Sequence, residues 1–421
     1  MLEPMVAAQS GDAAAGASLG ARYWRLWMSA GLSNLADGIF KVALPLVAVR
    51  FTRSPSLIAG LSVALSLPWL LFALQAGAIA DRVDRRRAML GANSVRALVL
   101  LLLAAAVATD LAVLWVLYMA AFCVGIAETI YDTSAQSILP QVVGRELLSR
   151  ANGRLVAVEL AANEFFGPPL GGVIVAAGAA YAFAGPAALW VAAIGVLLSV
   201  AGRFRVKRSH RTTFRADIAE GLRFLWRHQV LRTLAVMVGV YNFATNATFG
   251  VLVLYAVGRG SALGLNGAGY GLLLASTALG SVAGSFIAER VEQVLGRARA
   301  LIVAIVGGTL LIAVLTMTTN VIGIGAGFFA GGASIAVYNV ISVSLRQRVT
   351  PDRLLGRVNS AFRMVAWGTM PLGAAAGGLI AEALGLRAVF MIAAGLALST
   401  LTGMFIVTDD RIAAGETAGE P

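Results

Sequence analysis

Long apolar stretches run through almost the whole sequence, and their length limits the fold more than any other feature. Twelve of them contain about 20 residues or more, the number that an α-helix needs to cross a hydrocarbon core of about 30 Å. Only 13% of the residues are charged and the mean hydropathy is +0.82, whereas soluble domains contain about 25% charged residues. The sequence therefore predicts an all-α membrane protein with twelve transmembrane helices. The predicted spans are residues 25–49, 56–80, 88–108, 111–137, 151–177, 181–202, 235–257, 267–287, 298–318, 321–343, 359–384 and 387–407.

The charged residues of the connecting segments predict the orientation in the membrane. Arginines are concentrated in the even-numbered connections, for example at Arg85, Arg150 and Arg297. Positive charge marks the cytoplasmic side, so these connections and both termini are predicted to be cytoplasmic. The net charge of +12 could also indicate a nucleic-acid partner. Its concentration on one side of the spans instead favours membrane lipids as the partner, with no nucleic acid.

An internal repeat divides the chain into two halves. The segment Leu-Leu-Ser-Arg-Ala-Asn at 147–152 recurs as Leu-Leu-Gly-Arg-Val-Asn at 354–359. A repeat of about half the chain indicates two homologous six-helix bundles. Between them, apolar residues at helical spacing predict an amphipathic helix on the inner membrane surface. The predicted divisions are a disordered cytoplasmic tail (1–22), an N-terminal six-helix bundle (23–202), a cytoplasmic linker (203–232), a C-terminal six-helix bundle (233–408) and a second cytoplasmic tail (409–421).

The connection between the second and third spans carries a basic motif, Gly-Ala-Ile-Ala-Asp-Arg-Val-Asp-Arg-Arg-Arg, at residues 77–87. It resembles the loop motif of the major facilitator superfamily, except that Asp84 stands where the family has a second glycine. The resemblance implies the facilitator fold, in which two six-helix bundles rock about a central site. It also implies that Arg85 meets an acid of the fourth span, Asp132, and that Asp81 faces the start of the eleventh span near Asn359.

On this resemblance we interpret the loop as a conformational latch that does not contact the substrate. The alternative is a basic hairpin that acts only as a topology signal. The residues assigned to the latch are Gly77, Asp81, Arg82, Arg85 and Asp132.

The fifth predicted span contains the sequence Gly-Pro-Pro-Leu-Gly-Gly, which resembles the antiporter motif of facilitator exporters. The resemblance implies export, because importers of the superfamily generally lack the motif. The alternative is that small residues merely allow close helix packing. The motif residues are Gly167, Pro168, Gly171 and Gly172.

The linker stretch 217–228 resembles the central loop of facilitators of the macrolide-efflux and enterobactin-exporter type. The implied function is export of a hydrophobic or amphiphilic small molecule of the drug class by alternating access, in exchange for protons. An exporter of a siderophore or another metabolite is the alternative. An integral-membrane enzyme that acts on lipids is a remote one, because the acids are scattered singly through the spans.

Ionisable residues inside the spans are expensive in hydrocarbon and are therefore candidates for proton coupling. Asp37 ranks first because it lies near mid-membrane, about 18 Å into its helix at 1.5 Å per residue. Glu164 ranks second and Glu128 third. Asp37 and Lys41 could instead form a self-neutralising pair one turn apart. On depth alone, we expect Arg96 to pair with Glu128.

The resemblance implies that the first, fourth, seventh and tenth spans line the central cavity. Their polar groups are mostly neutral hydrogen-bonding side chains among apolar ones, which suits a bulky amphiphile and offers no arginine clamp for phosphate. The cavity candidates are Asn34, Lys41, Arg96, Tyr241, Asn242, Asn246, Tyr338 and Asn339.

Several classes of chemistry are excluded by what the sequence lacks. A single cysteine, Cys123, allows no intrachain disulfide, and the two histidines, His210 and His228, both lie in the linker, so no metal site or cofactor is expected. No phosphate-binding loop of an ATPase is present, so energy must come from a gradient or from the substrate itself. We expect a monomeric, multi-pass protein of a bacterial inner membrane that is not an enzyme.

Overall fold

Helices account for nearly all of the secondary structure in the computed structural model, which describes residues 18–111, 113–202, 204 and 214–411. Twelve of these helices are long and apolar enough to cross a membrane, so the predicted fold class is confirmed. Their bounds are α1 Gly20–Ala48, α2 Pro55–Arg82, α3 Arg85–Ala108, α4 Leu114–Ile138, α5 Leu148–Ala177, α6 Tyr181–Leu198, α7 Gln229–Ala256, α8 Gly267–Leu295, α9 Arg297–Met317, α10 Val321–Val349, α11 Asp352–Leu384 and α12 Leu386–Phe405. A shorter linker helix, Phe214–Arg227, precedes α7.

Local sequence signals set several helix starts. Ser54 caps α2 by accepting a hydrogen bond from the backbone of Leu57, and Pro55 follows at the first helical position. Asn266 and Asn320 cap α8 and α10 in the same way. Short polar side chains satisfy backbone N–H groups that a helix start leaves unpaired, and proline is tolerated there because its missing N–H would have no partner.

The two halves meet where α5 packs against α8 and α2 packs against α11. We call the membrane face with the α2–α3 connection and the linker helix the linker face, and the opposite one the distal face. Near the distal face the backbones of the halves touch, since a Cβ at Gly172 would overlap the carbonyl oxygen of Gly267. There Glu382 also accepts hydrogen bonds from the hydroxyls of Ser54 and Ser56, at 2.8 and 2.9 Å. This contact closes the space between the halves toward the distal face.

Toward the linker face, side chains connect the halves. Arg363 of α11 donates to Gln136 of α4 at 3.4 Å, and Trp69 of α2 packs edge-to-face against Trp367 of α11. The central cavity lies between the halves on the linker side of the distal closure, and Trp69 and Trp367 form part of its wall.

The linker helix packs on protein as well as facing solvent. Leu225 is fully buried in the core of the second half, and Gly221 lies against the backbone of Arg357. Glu220 forms an ion pair with Arg357 of α11. The helix is therefore docked on the second half, and its location on the inner membrane surface stays a prediction. The side chains at 214–218, which contribute to its predicted apolar face, lie outside the described part of the chain.

The helices begin outside the predicted divisions at two places. α1 begins at Gly20, inside the predicted first tail, and α7 begins at Gln229, inside the predicted linker. At the other end, Asp409 of the predicted second tail accepts a hydrogen bond from the backbone of Ala298 at 3.1 Å. A carboxylate at the start of α9 compensates the positive end of the helix dipole.

Candidate functional site

A cavity of about 650 Å³ lies between the two halves. Its volume is within the range of roughly 300–1,000 Å³ that is usual for sites of drug-sized ligands. The first half contributes α1, α2, α4 and α5 to the wall, and the second half contributes helices from α7 to α12.

Most of the residues proposed from the sequence for substrate or proton binding line this cavity. The predicted residues on its wall are Asn34, Lys41, Glu128, Glu164, Tyr241, Asn242, Asn246, Tyr338 and Asn339. Asp132 of the predicted latch lies on the wall as well. Sequence reasoning missed several further polar or aromatic residues of the wall. These include Trp69, Glu159, Asn163, Thr245 and Trp367. Glu159 could have been found because it is an acid within a predicted span. The sequence around Trp69 and Trp367 contains no signal that distinguishes them from tryptophans that face lipid.

The wall from the first half is acidic. Glu128 and Asp132 lie on α4, and Glu159 and Glu164 lie on α5. The one amine among them, Lys41, forms an ion pair with Glu128, with 3.1 Å between Nζ and Oε1. Four carboxyl groups thus share the wall with a single lysine.

The wall from the second half is neutral, and helix packing fixes much of it. Tyr241 donates to the carbonyl oxygen of Gly308 at 2.9 Å, and Asn242 donates to that of Ala366 at 2.7 Å. Asn246 donates back to the carbonyl oxygen of Asn242 at 2.9 Å. The two asparagines use their amide nitrogens in these bonds, so each retains a side-chain oxygen as an acceptor.

Asp37 and Arg96 form a second ion pair, 3.4 Å apart, and neither residue lines the cavity. The guanidinium of Arg96 has no exposed surface and lies about 5 Å from the ring centroids of both Tyr131 and Trp190. Ser33 and Asn93 complete the shell around it.

This second pair corrects two expectations. The sequence predicts that Arg96 pairs with Glu128 and lines the cavity, and it allows an internal pair between Asp37 and Lys41. In the structure Arg96 pairs with Asp37, and Lys41 pairs with Glu128. Counting residues gives the depth of a side chain along a helix, but not the neighbouring helix that it faces.

A π-helical turn, Ala161–Phe166, interrupts α5 immediately before its glycine-proline motif. The N–H of Gly167 reaches back to the carbonyl oxygen of Ala162, and Pro168 and Pro169 supply no N–H to the next positions. Such turns are frequent at functional sites. Here the turn carries Asn163 and Glu164, which both line the cavity.

The glycines of that motif make close helix contacts. A Cβ at Gly167 would overlap the backbone of Gly38 in α1, and one at Gly171 would lie 2.9 Å from the carbonyl oxygen of Ile39. Gly172 makes the contact with α8 described above. Close packing is thus a sufficient structural reason for these glycines, and export has to be argued on other grounds.

The latch motif is only partly described. A Cβ added at Gly77 would enter open space and Arg82 is exposed, while the side chain of Asp81 lies outside the described part of the chain. Arg85 donates to the carbonyl oxygen of Ser137, near the end of α4. Asp132 lines the cavity. The latch remains a prediction.

Asp84, which departs from the family motif, has a clear structural role. It is buried, caps α3 through the N–H of Arg87, and accepts a hydrogen bond from the N–H of Phe204 at 2.7 Å. Arg86 donates to the carbonyl oxygens of Leu197 and Leu198 at the end of α6. These bonds tie the α2–α3 connection to the start of the linker. Arginine at a helix C-terminus is favourable because unpaired carbonyls collect there.

Two six-helix halves around a membrane-embedded cavity define a transporter and not an enzyme. The chain matches the model of the transmembrane secretion effector family over residues 17–418 and belongs to that family, within the major facilitator superfamily. The predicted superfamily is thereby confirmed. The twelve apolar helices and the similarity to bacterial efflux proteins identify the chain as a multi-pass protein of the inner membrane.

Two characterised exporters are similar in sequence to this chain. The multidrug efflux pump Tap of Mycolicibacterium fortuitum is 30% identical over 86% of this chain and 89% of the relative. The enterobactin exporter EntS of Salmonella typhimurium is 24% identical, with 78% of each chain covered.

Two solved structures share the fold. A bacterial homologue of the iron transporter ferroportin in an inward-facing state has a TM-score of 0.73 at 17% identity, covering 93% of this chain and 99% of that one. The nucleoside transporter NupG has a TM-score of 0.74 at 13% identity, with 92% and 99% covered. At these identities the likeness concerns the fold alone.

Proposed function

We propose that this protein exports a bulky amphiphilic organic cation by alternating access, in exchange for protons. The observation that carries the proposal is the division of the cavity into an acidic wall and a neutral, partly aromatic wall. Relatives named as a multidrug efflux pump and an enterobactin exporter support the export direction.

The charge of the cavity selects among substrates. Carboxylates in a low-dielectric site attract a cation more strongly than they would in water. Aromatic rings such as Trp69 and Trp367 offer their faces to the body of such a ligand and to its charge. An anionic metal chelator would need basic groups, and Lys41, the basic residue on the wall, is already paired with Glu128. Export of a siderophore is therefore the second candidate function, and the similarity to the enterobactin exporter EntS is the observation that favours it.

Lys41 acts in this proposal as a tethered competitor of the substrate. Its ammonium occupies the Glu128 carboxylate when the cavity is empty, which avoids an unpaired charge in the membrane. An incoming cation takes over Glu128 and displaces Lys41 toward the neighbouring acids, Glu159 and Glu164. Selectivity for cations then results from competition for one carboxylate.

The first two candidates for proton coupling are different carboxylates from Glu128, the one proposed to bind the substrate. Asp37 stays first among the candidates because it is buried beside Arg96. It lies off the cavity wall, whereas the sequence argument expects a coupling carboxylate to have access to the cavity. Glu164 and Glu128 remain second and third. When Asp37 is protonated, Arg96 loses its partner, and this gives the helices around the pair a reason to rearrange between two states.

The conformation with the distal face closed is, in this proposal, the inward-facing state. The arginine-rich connections lie on the linker face, which the positive-inside rule assigns to the cytoplasm. Cysteines at Arg86 and Lys207, in a Cys123→Ser background, should react only with reagents that reach the cytoplasm, and one at Arg259 only from outside. The cavity lies within one chain, so the monomer is the proposed unit of transport.

The experiment that tests this function compares three ligands of the same aromatic body that carry a quaternary ammonium, a neutral group or a carboxylate. We expect the purified protein to bind the cation most tightly. Glu128→Gln should weaken cation binding about tenfold, or about 1.4 kcal/mol, and leave the neutral ligand unchanged. Tightest binding of the carboxylate would contradict the proposal and favour the siderophore alternative.

A further inference from the structure

A second cavity, on the outer surface of the first half, is separate from the transport site. It is a groove of about 720 Å³ between α1 and α5. Its apolar wall includes Leu35, Val158, Phe166 and Leu170, and Arg154 is its charged residue. Phe166 and Leu170 are about half exposed, as expected for side chains that face lipid.

The groove has a polar end and an apolar end. Arg154 lies near the linker face, with its guanidinium 5.2 Å from the ring centroid of Trp24. Trp27 donates its indole N–H to the backbone carbonyl of Arg154 at 3.0 Å, which holds α1 against α5 at this level. Tryptophan is enriched at the level of lipid headgroups. Arg150, exposed and one turn earlier, lies on the same helix face and adds a second positive charge.

The π-helical turn keeps the groove on one side of α5. From Arg154 to Leu170, regular α-helix would rotate the side chains by about 160°, nearly to opposite faces. The wider turn at Ala161–Phe166 takes back part of that rotation. Both residues therefore border one groove, which extends about 24 Å along the helix at 1.5 Å per residue. One membrane leaflet with its headgroups is about 20 Å deep.

We propose that this groove is a binding site for an anionic phospholipid. The headgroup phosphate pairs with Arg154, and one acyl chain lies along the apolar wall toward Leu170. Charge complementarity selects the lipid: the guanidinium matches a phosphate, and no acid lines the groove to repel it. The site is independent of the transported substrate, because the groove shares no residue with the central cavity.

Native mass spectrometry of the full-length protein tests the site, with phosphatidylglycerol and phosphatidylcholine of identical acyl chains as probes. Wild-type protein should bind the first phosphatidylglycerol at least tenfold more tightly than phosphatidylcholine. Arg154→Gln should lose this preference. Arg87→Gln, which removes an equal charge from the linker face away from the groove, should keep it. Equal affinities of wild-type protein for the two lipids, or equal behaviour of the two variants, would overturn the proposal.

A second variant tests the apolar part. Ala157→Leu adds bulk inside the groove and leaves Arg154 in place, so it should weaken binding of both lipids by a similar factor. If Arg154→Gln does not fold, Ala157→Leu alone tests the proposal. Lipid binding by Ala157→Leu equal to that of wild-type protein would overturn it. Displacement of phosphatidylglycerol by soluble glycerol phosphate would show a free-anion site and would also contradict a lipid site.

Discussion

Lys41 of α1 and Glu128 of α4 form an ion pair, 3.1 Å between Nζ and Oε1, on the wall of the central cavity. The side chain of Lys41 is 36% exposed and that of Glu128 only 12%, so the lysine is the partner with more surface left to move. If Lys41 competes with the substrate, Lys41→Met should tighten binding of a monovalent organic cation several-fold. Equilibrium binding to the purified variant measures this. Weaker cation binding by a folded variant would show that Lys41 contacts the substrate itself.

The buried pair of Asp37 and Arg96 leads to a prediction about coupling. Asp37→Asn should abolish pH-driven uphill export and still allow downhill exchange of substrate, because the variant cannot carry the proton. Substrate-induced proton movement in proteoliposomes is the measurement, and Glu164→Gln, which tests the second candidate, is measured beside it.

The control for folding follows from the same pair. Removing one partner of a buried ion pair costs about 3–5 kcal/mol, so a double variant with Arg96→Gln should recover stability without recovering coupling. Unchanged proton movement in Asp37→Asn would remove Asp37 from this role and shift the assignment to Glu164.

The predicted latch affects rates more than affinities. Asp81→Asn or Arg85→Ala should slow transport several-fold and leave substrate affinity within about twofold, because both changes shift the balance between states without removing a ligand. Arg87→Gln is the control for loss of charge in the same connection. Loss of substrate binding by folded Asp81→Asn protein would refute the latch.

The contact between Gly172 and Gly267 gives a prediction about conformation. Gly172→Ala places a methyl group against the carbonyl oxygen of Gly267 and should separate α5 from α8 near the distal face. A cysteine at Asn246 in the cavity should then react faster with an impermeant reagent added to cells.

Gly195→Ala is the matched control for that change, because no atom lies within 4 Å of the added methyl group. In a helix interior this substitution should stabilise by about 0.5–1 kcal/mol and leave labelling unchanged. If Gly172→Ala also left labelling unchanged, the distal closure would not depend on this contact.

The sequence predicted the helices well and the side-chain pairs poorly, for a physical reason. Membrane thickness fixes how many apolar residues a span needs, so the twelve spans could be counted without knowing how they pack. The partner of Arg96 depends on helix tilt and rotation, which only packing determines. The paired prolines, Pro168 and Pro169, were a local signal for the π-helical turn in α5. No local signal indicated which residues the turn would bring onto one face of the helix.

Two further features lay beyond sequence reasoning. In the sequence, Asp84 has the position of a loop residue. It is buried because its carboxylate accepts a hydrogen bond from the backbone N–H of Phe204, which is far away along the chain. The two walls of the cavity come from helices distant in sequence, so the acidic excess on one side becomes visible only when α4 and α5 are placed together.

Transport of a permanently charged aromatic cation into acid-interior proteoliposomes tests the central claim most directly. A quaternary ammonium is chosen because it cannot be trapped passively by protonation. We predict that the cation accumulates against its gradient, that the pH gradient collapses with it, and that Glu128→Gln slows both effects about tenfold at a cation concentration below saturation. Absence of accumulation, or equal uptake without a pH gradient, would contradict cation export in exchange for protons.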